Sequence, residues 1–120
     1  MSEKIKIVYI DDEEMNATLF RINFSRKYDV YTGCSGFDGL KILESHPDTK
    51  VIISDMKMPE MNGIEFIKKA KALYPDKKFY ILTGFEITEE IQNALVAGLI
   101  NKYFRKPFNQ EEIETAINGV

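Results

Sequence analysis

Short apolar runs alternate with helix-like stretches along the chain. Runs of apolar and β-branched residues bounded by turn residues are typical of strands. The predicted strands cover residues 5–10, 29–32, 51–54, 79–82 and about 100–104. Because a helix-like stretch follows every run, the pattern indicates βα units and a parallel sheet.

Between these runs, apolar residues recur at a spacing close to that of a helix. The predicted helices cover roughly residues 15–26, 37–45, 63–74, 88–97 and 110–118. Thr88 and Asn109 are predicted N-caps, Pro75 ends the third helix, and Gly98 follows the fourth. The predicted inward stripes are Ile64, Ile67, Ala70, the Lys71 stem and Tyr74; Ile91, Ala94 and Leu95; and Ile113, Ala116 and Ile117.

The third run is apolar without alternation, as expected of a central strand that is covered on both faces. Right-handed crossovers leave few topologies for five βα units. We therefore predict an α/β fold in one domain, residues 1–120, with a (βα)₅ doubly wound parallel sheet of order 2-1-3-4-5. In such sheets, ligands bind at the carboxyl ends of the strands, beside strands one and three.

Polar side chains stand at those strand ends. Asp11 and Asp12 follow the first run, Asp55 follows the third, Thr83 the fourth, and Lys106 the fifth. Carboxylate oxygens are the ligands that Mg²⁺ prefers, and the absence of His and Cys from these motifs disfavours zinc and copper. We predict a site for Mg²⁺ (or Mn²⁺) and a phosphoryl group at this edge of the sheet.

Each of these residues has a predicted role in phosphoryl transfer. Asp55 would be the nucleophile that forms an acyl phosphate. The Thr83 hydroxyl would donate to one phosphoryl oxygen and the Lys106 ammonium would pair with another. Mg²⁺ would relieve the repulsion between the carboxylates of Asp11, Asp12 and Asp55.

Composition and charge narrow the class of protein. The chain has 120 residues, of which 44% are hydrophobic, enough for a core without disulfides. Cys34 is the single cysteine, which favours a cytoplasmic protein. The net charge of −3 comes from interspersed signs, so we expect no direct nucleic-acid partner. No apolar stretch approaches the ~20 residues of a membrane span, so no membrane association is expected.

The motifs YIDDEE, SDMKMPEMNG, ILTG and YFRKPF occur in this order. With them the chain resembles the receiver domain of two-component response regulators, chemotaxis-type receivers included, over essentially its whole length. The resemblance implies a flavodoxin-like receiver fold and a cis bond between Lys106 and Pro107. It also implies that Asp12 binds the metal directly, Asp11 largely through water, and Lys57 through its backbone carbonyl.

The resemblance further implies partners and a switch. A histidine kinase or phosphotransfer protein would donate the phosphoryl group to Asp55, and the receiver would catalyse this transfer and slowly hydrolyse the product. Thr83 would then move and Tyr103, at the aromatic switch position, would turn inward. The face of the fourth helix, fifth strand and fifth helix would change partners, with dimerisation as one outcome. A downstream protein or a fused output domain would bind the switched face.

Three residues near the phosphoacceptor depart from the family pattern. Gly84 replaces a residue that is alanine or another small residue in many relatives. Lys57 and Phe85 occupy the two positions that tune dephosphorylation in the family, where the pairing is more usually polar or acidic. We expect the bulk of Phe85 and the length of Lys57 to obstruct the attacking water and lengthen the phosphorylated state.

The sequence disfavours other functions on the same fold. An aspartate-nucleophile phosphatase would need a second acid where Lys57 stands, and a flavodoxin-like electron carrier would need a phosphate loop in place of DDEEMN. An unphosphorylated interaction module would not need all the key positions filled. The printed sequence contains no DNA-binding or enzymatic output segment, which fits either a stand-alone receiver or a part of a longer regulator.

Overall fold

Strands and helices alternate along the whole described chain. A computed structural model describes residues 4–84 and 86–119. The strands are β1 (Lys6–Ile10), β2 (Asp29–Gly33), β3 (Val51–Asp55), β4 (Lys78–Thr83) and β5 (Lys102–Arg105). The helices are α1 (Glu14–Phe24), α2 (Gly36–Ser45), α3 (Gly63–Leu73), α4 (Glu89–Val96) and α5 (Gln110–Asn118).

The strands form one parallel sheet in the order β2-β1-β3-β4-β5, which confirms the predicted topology. Ile10 lies opposite Ser54 on the neighbouring strand. Asp55 lies opposite Leu82, and Thr83 lies opposite Arg105. This register places the carboxyl ends of the central strands at one edge of the sheet.

Both faces of the sheet are covered by helices, as a doubly wound fold requires. Every residue of β3 is buried, in agreement with its uninterrupted apolar sequence. One face packs against α1 and α5, chiefly through Ile7, Tyr9, Val51, Ile53, Tyr80, Leu82, Phe104, Phe20, Phe24, Ile113 and Ile117. The other packs against α2, α3 and α4, chiefly through Val8, Ile10, Ile52, Phe79, Ile81, Leu43, Ile64, Phe66, Ile67, Ala70, Ile91 and Ala94.

Polar side chains cap the starts of four described helices: Ser35 caps α2, Asn62 α3, Thr88 α4 and Asn109 α5. The sequence predicts the last two of these caps. Asn62 accepts a hydrogen bond from the Glu65 N–H at 2.8 Å, and the Glu65 carboxylate accepts one from the Asn62 N–H at 2.9 Å, which forms a capping box. Thr88 caps α4 through the Ile91 N–H at 3.3 Å. Asn109 caps α5 in the same way.

Gly98 closes α4 in the left-handed region, with φ of 76°. Its N–H donates to the Leu95 carbonyl at 3.1 Å, and the Leu99 N–H donates to the Ala94 carbonyl at 2.9 Å. These two bonds are those of a Schellman motif. The prediction that Gly98 follows the fourth helix is confirmed.

Some boundaries and faces differ from the prediction. The last strand begins at Lys102 because the Ile100 N–H donates to the Ala94 carbonyl and so belongs to the turn that closes α4. Phe66, absent from the predicted stripe, is fully buried. In α1, Leu19 and Ile22 are 47% and 65% exposed although they are apolar. Among the described helices, none is both long and apolar enough to cross a membrane.

Candidate functional site

Three carboxylates meet at the carboxyl edge of the sheet. Asp11 and Asp12 follow β1, and Asp55 is the last residue of the adjacent strand β3. Asp11 and Asp55 are buried, whereas Asp12 is exposed. One oxygen from each carboxylate lies within 4.8 Å of the others. The structure therefore brings together the three acids that the sequence predicts at this edge.

Lys106 reaches this acidic cluster from the loop after β5. Its Nζ lies 2.9 Å from Oδ2 of Asp11 and 3.3 Å from Oδ1 of Asp55. The Lys106 N–H donates to the Thr83 carbonyl at 2.8 Å, so the backbone at the ends of β4 and β5 is joined. The Lys106–Pro107 bond is cis, as the resemblance implies. The lysine thus supplies a positive charge between two buried acids.

Asp11 is held by more donors than the sequence predicts. The Tyr9 hydroxyl donates to Oδ2 of Asp11 at 2.7 Å, and the Glu13 N–H donates to Oδ1 at 2.9 Å. Sequence reasoning missed Tyr9. The available signal was its position two residues before Asp11, because side chains two apart along a strand point to the same face.

One carboxylate oxygen of Asp55 is buried without a hydrogen-bond donor from the described residues. This oxygen is Oδ1, and its 3.3 Å contact with Lys106 is an ion pair without hydrogen-bond geometry. Burial, and then the charge of Asp11, raise the pKa of Asp55 to about 6, against the opposing effect of Lys106. A cation or an added donor at this oxygen would relieve the cost of burying it.

Two neighbours of the acids are held in their protonated forms. Burial raises the pKa of Tyr9 far above its ordinary value, and Asp11 adds to the rise. Burial lowers the pKa of Lys106, but the hydrogen bond with Asp11 and the charges of Asp55 and Asp11 outweigh it, so the net shift is upward. At neutral pH Tyr9 is therefore a donor and Lys106 a cation.

Thr83 is buried at the end of β4, the strand next to the one that carries Asp55. Thr83 and Lys57 line one cavity between the β3–α3 and β4–α4 loops; its other lining residues are Met56, Met58, Asn62, Glu86 and Thr88. Lys57 is exposed. The predicted lifetime residue Phe85 lies outside the described residues.

Tyr103 lies further from the acids, on β5. It pairs with Ile81 across the sheet, and Thr83 is two residues beyond Ile81 on β4. Side chains alternate along strands, so Thr83 and Tyr103 belong to the same face, the one that packs against α4. Tyr103 is half-buried against that core.

Gly63 shapes the backbone under the phosphoacceptor candidate. Its N–H donates to the Met56 carbonyl at 2.8 Å. A Cβ at this position would clash with the Asp55 carbonyl oxygen and lie 2.8 Å from Cδ1 of Ile81. Glycine therefore allows the start of α3 to pack directly against the end of β3.

Comparison with known proteins assigns the family. A model of the response regulator receiver domain matches residues 7–118. The chain belongs to the response regulator receiver family. Receiver domains of this family generally bind Mg²⁺ and interact with kinases and with output or target proteins. The acidic cluster at the carboxyl edge of the sheet lies within the matched residues.

Two curated relatives illustrate how far this receiver's similarity extends. A chemotaxis protein CheY homolog of Campylobacter jejuni is 31% identical over 97% of the chain and 92% of the relative. Sporulation initiation phosphotransferase F of Bacillus subtilis is 32% identical over 98% of the chain and 92% of the relative.

A solved receiver structure has the same fold. The response regulator receiver domain protein from Clostridium thermocellum is 30% identical and superposes with a TM-score of 0.84, covering 96% of this chain and 92% of that one.

Proposed function

We propose that this receiver is activated by phosphorylation of Asp55 in a two-component phosphorelay. The phosphoryl donor would be a histidine kinase or a phosphotransfer protein. The receiver domain would extend over residues 1–120 and act in the cytoplasm. A relative named for phosphotransfer, at 32% identity over nearly the whole chain, supports this reaction class.

The observation that carries the proposal is the surroundings of the Asp55 carboxylate. One of its oxygens is buried without a hydrogen-bond donor from the described residues, and Lys106 stands 3.3 Å from that oxygen. Asp11, Asp12 and Thr83 lie at the ends of neighbouring strands. A phosphoryl group on Asp55 would therefore meet a cation and a hydroxyl at the places where its charge develops.

The acidic cluster fits a hard divalent cation. Three carboxylate oxygens within 4.8 Å, together with the buried oxygen of Asp55, form an oxygen-only ligand set suited to Mg²⁺ or Mn²⁺. Asp11, Asp12, Asp55 and the Lys57 carbonyl would hold it. When bound, the ion supplies positive charge that offsets the carboxylates and the incoming phosphoryl oxygens.

The transfer itself is a displacement at phosphorus. A carboxylate oxygen of Asp55 forms the new P–O bond while the P–N bond of the donor phosphohistidine breaks. The electron pair of that bond returns to the imidazole, which takes up a proton. Lys106 and Thr83 pair with the equatorial oxygens, and the same groups would assist the slow attack of water that reverses the modification.

The switch would connect the phosphoryl group to the face formed by α4, β5 and α5. Thr83 and Tyr103 belong to the same face of the sheet, so a movement of Thr83 toward the phosphoryl group opens space into which Tyr103 can turn. Leu95, Tyr103 and Glu112 line a groove on this face. A downstream protein, a fused output domain or a second copy of the chain would bind there.

The direct test is phosphorylation by a small-molecule donor. Incubation with Mg²⁺ and acetyl phosphate should add one phosphoryl group, measured as intact mass. The Asp55→Asn variant should gain none, and chelation of Mg²⁺ should prevent the gain in the wild type.

Asp76→Asn is the matched control, because Asp76 is exposed and precedes β4 at the opposite edge of the sheet. This variant should be phosphorylated like the wild type. A wild type that gains no phosphoryl group with Mg²⁺ present would refute the proposed function.

A further inference from the structure

Tyr9 lies directly beneath the acidic cluster. It belongs to β1, its side chain is 1% exposed, and its hydroxyl donates to Oδ2 of Asp11 at 2.7 Å. A buried phenol usually finds a partner, but here that partner is a charged member of the site. A hydrogen bond from a buried donor to a carboxylate is stronger than one between neutral groups.

The ring of Tyr9 is held as firmly as its hydroxyl. It stacks on Phe20 of α1 with centroids 4.2 Å apart and planes 5° from parallel. Phe20 in turn contacts Phe24 at 4.3 Å and Phe108 at 5.9 Å. This aromatic cluster between α1 and the loop after β5 therefore fixes the position and direction of the Tyr9 hydroxyl.

Three donors orient the Asp11 carboxylate. Oδ2 accepts from Tyr9 and from Lys106 Nζ at 2.9 Å, and Oδ1 accepts from the Glu13 N–H at 2.9 Å. An ionised carboxylate has about four acceptor positions, so one position remains for a cation or its water. The Tyr9 ring is packed on Phe20, whereas the Lys106 ammonium ends a long side chain with several rotatable bonds.

We propose that Tyr9 is a positioning residue that holds Asp11 in its metal-binding orientation independently of Lys106. This inference rests on the proposed function. While Lys106 bridges Asp11 and Asp55, both donors share Oδ2. When Lys106 turns to a phosphoryl oxygen, Tyr9 keeps the buried carboxylate of Asp11 hydrogen-bonded and in place. Without the hydroxyl, Lys106 would be retained by Asp11 and the carboxylate would lose its fixed plane.

The test compares Tyr9→Phe with Tyr80→Phe. Tyr9→Phe removes the hydroxyl and keeps the ring on Phe20. Tyr80 is also a buried tyrosine on the same face of the sheet, but its hydroxyl lies 3.5 Å from the Ala116 carbonyl, away from the acids. Mn²⁺ affinity is measured by the free-ion signal in electron paramagnetic resonance. The phosphorylation rate with acetyl phosphate is measured at saturating Mn²⁺.

Tyr9→Phe should bind Mn²⁺ about tenfold more weakly, the lower end of what the loss of a partner behind a metal ligand costs. It should also be phosphorylated more slowly at saturating Mn²⁺, while Tyr80→Phe matches the wild type in both. An affinity for Tyr9→Phe within twofold of the wild type, or an equal loss in both variants, would overturn the inference.

A second measurement uses the wild type alone, so it does not depend on whether Tyr9→Phe folds. In the wild type, the hydroxyl proton of Tyr9 should exchange slowly and shift in NMR spectra when Mg²⁺ is added. A hydroxyl signal that does not respond to Mg²⁺ would overturn the inference. A wild type that binds no Mn²⁺ would refute the proposed function as well, whereas normal binding in both wild type and Tyr9→Phe removes only the role of Tyr9.

Discussion

Lys57 lies two residues after the phosphoacceptor candidate Asp55, at a position where the resemblance to the family implies an effect on dephosphorylation. It is exposed and lines the same cavity as Thr83. We expect water to reach a phosphoryl group on Asp55 through this cavity. A long cation there can both screen the phosphoryl charge and fill the path of the water. Its effect should therefore fall on the lifetime of the modification.

Lys57→Ala should shorten the lifetime of the phosphorylated protein about two- to fivefold, a change of ~1 kcal/mol or less in the barrier. The measurement is the loss of the phosphoryl group from purified phosphoprotein with Mg²⁺, followed by intact mass. Lys69→Ala, on the exposed surface of α3, is the matched control. If neither Lys57→Ala nor Phe85→Ala shortens the lifetime, the expected obstruction of water is wrong.

Cys34 is exposed but is not poised for reaction. Its thiol donates to Oδ2 of Asp38 at 2.9 Å. This hydrogen bond, and then the negative charge of Asp38, raise the pKa of Cys34, so less thiolate is present at a given pH. The sequence showed a single cysteine and gave no sign of its partner.

Asp38→Asn should lower the pKa of Cys34 toward its ordinary value and speed alkylation by iodoacetamide about threefold near pH 8, where thiolate is scarce. The rate difference should vanish at high pH, where both thiols are ionised. Glu44→Gln, exposed on the same helix, should leave the profile unchanged. Superimposable rate–pH profiles for Asp38→Asn and wild type would contradict the role of the hydrogen bond.

Two glycines at the ends of helices serve different purposes. Gly98 ends α4 with a positive φ in open space, where a Cβ would meet nothing within 4 Å. Gly63 begins α3 without room for a Cβ, because the Asp55 carbonyl and Ile81 occupy that space. The Gly98→Ala substitution would strain the local backbone. The Gly63→Ala substitution would push on β3, the strand that carries Asp55.

Gly98→Ala should therefore cost about 1–2 kcal/mol of unfolding free energy and leave phosphorylation intact. Gly63→Ala should cost about 1–3 kcal/mol and also slow phosphorylation by acetyl phosphate, because Asp55 shifts. Urea unfolding and intact mass measure the two effects. Normal phosphorylation of Gly63→Ala would show that the packing of α3 against β3 does not position the carboxylate.

The features of the elements that could be predicted from the sequence are those that local interactions determine. Strand order and caps follow from local signals, such as the uniform apolarity of residues 51–54 and the side chains of Thr88 and Asn109. Boundaries that depend on tertiary contacts escaped it. The Ile100 N–H is taken by the turn after α4, and nothing in the sequence 100–104 reveals this.

In the site too, some features could be predicted from the sequence and others depend on tertiary contacts. Acids and a lysine after strands predict convergence, because parallel strands end at one edge of the sheet. The hydroxyl of Tyr9 is different, since tyrosine in an apolar strand looks like core until the direction of its ring is known. Its hydrogen bond to Asp11 depends on the stacking with Phe20, a contact between residues on separate elements.

The buried carboxylate of Asp55 lowers the stability of the fold at neutral pH when no metal is bound. Burial, reinforced by the charge of Asp11, raises the pKa of Asp55 in the folded state to about 6, above its value of about 4 in an unfolded chain. The folded state thus holds this proton more tightly. Protonation of Asp55 therefore stabilises the folded state. This contribution is fully present below about pH 4 and is lost as the pH rises through about 6.

In the presence of a chelator, Asp55→Asn should be more stable than the wild type at pH 7, by on the order of 1 kcal/mol after allowance for solvent screening. The difference should shrink as the pH falls from 7 to 4. Urea unfolding across this range measures it, with Asp76→Asn as the control. If the difference in unfolding free energy between the two proteins did not change with pH, burial of the Asp55 carboxylate would not be what lowers stability.

The ion pair between Lys106 and Asp11 joins residues 95 positions apart. During synthesis from the N-terminus, all three acids emerge before the lysine that pairs with Asp11 and Asp55. A chain without β5 and the loop that follows it would hold the acids without the charge of Lys106, and like charges would oppose their approach. The docking of the final strand therefore completes the sheet and brings Lys106 against two of the acids. Only a receiver whose last strand has docked would be competent to take part in signalling.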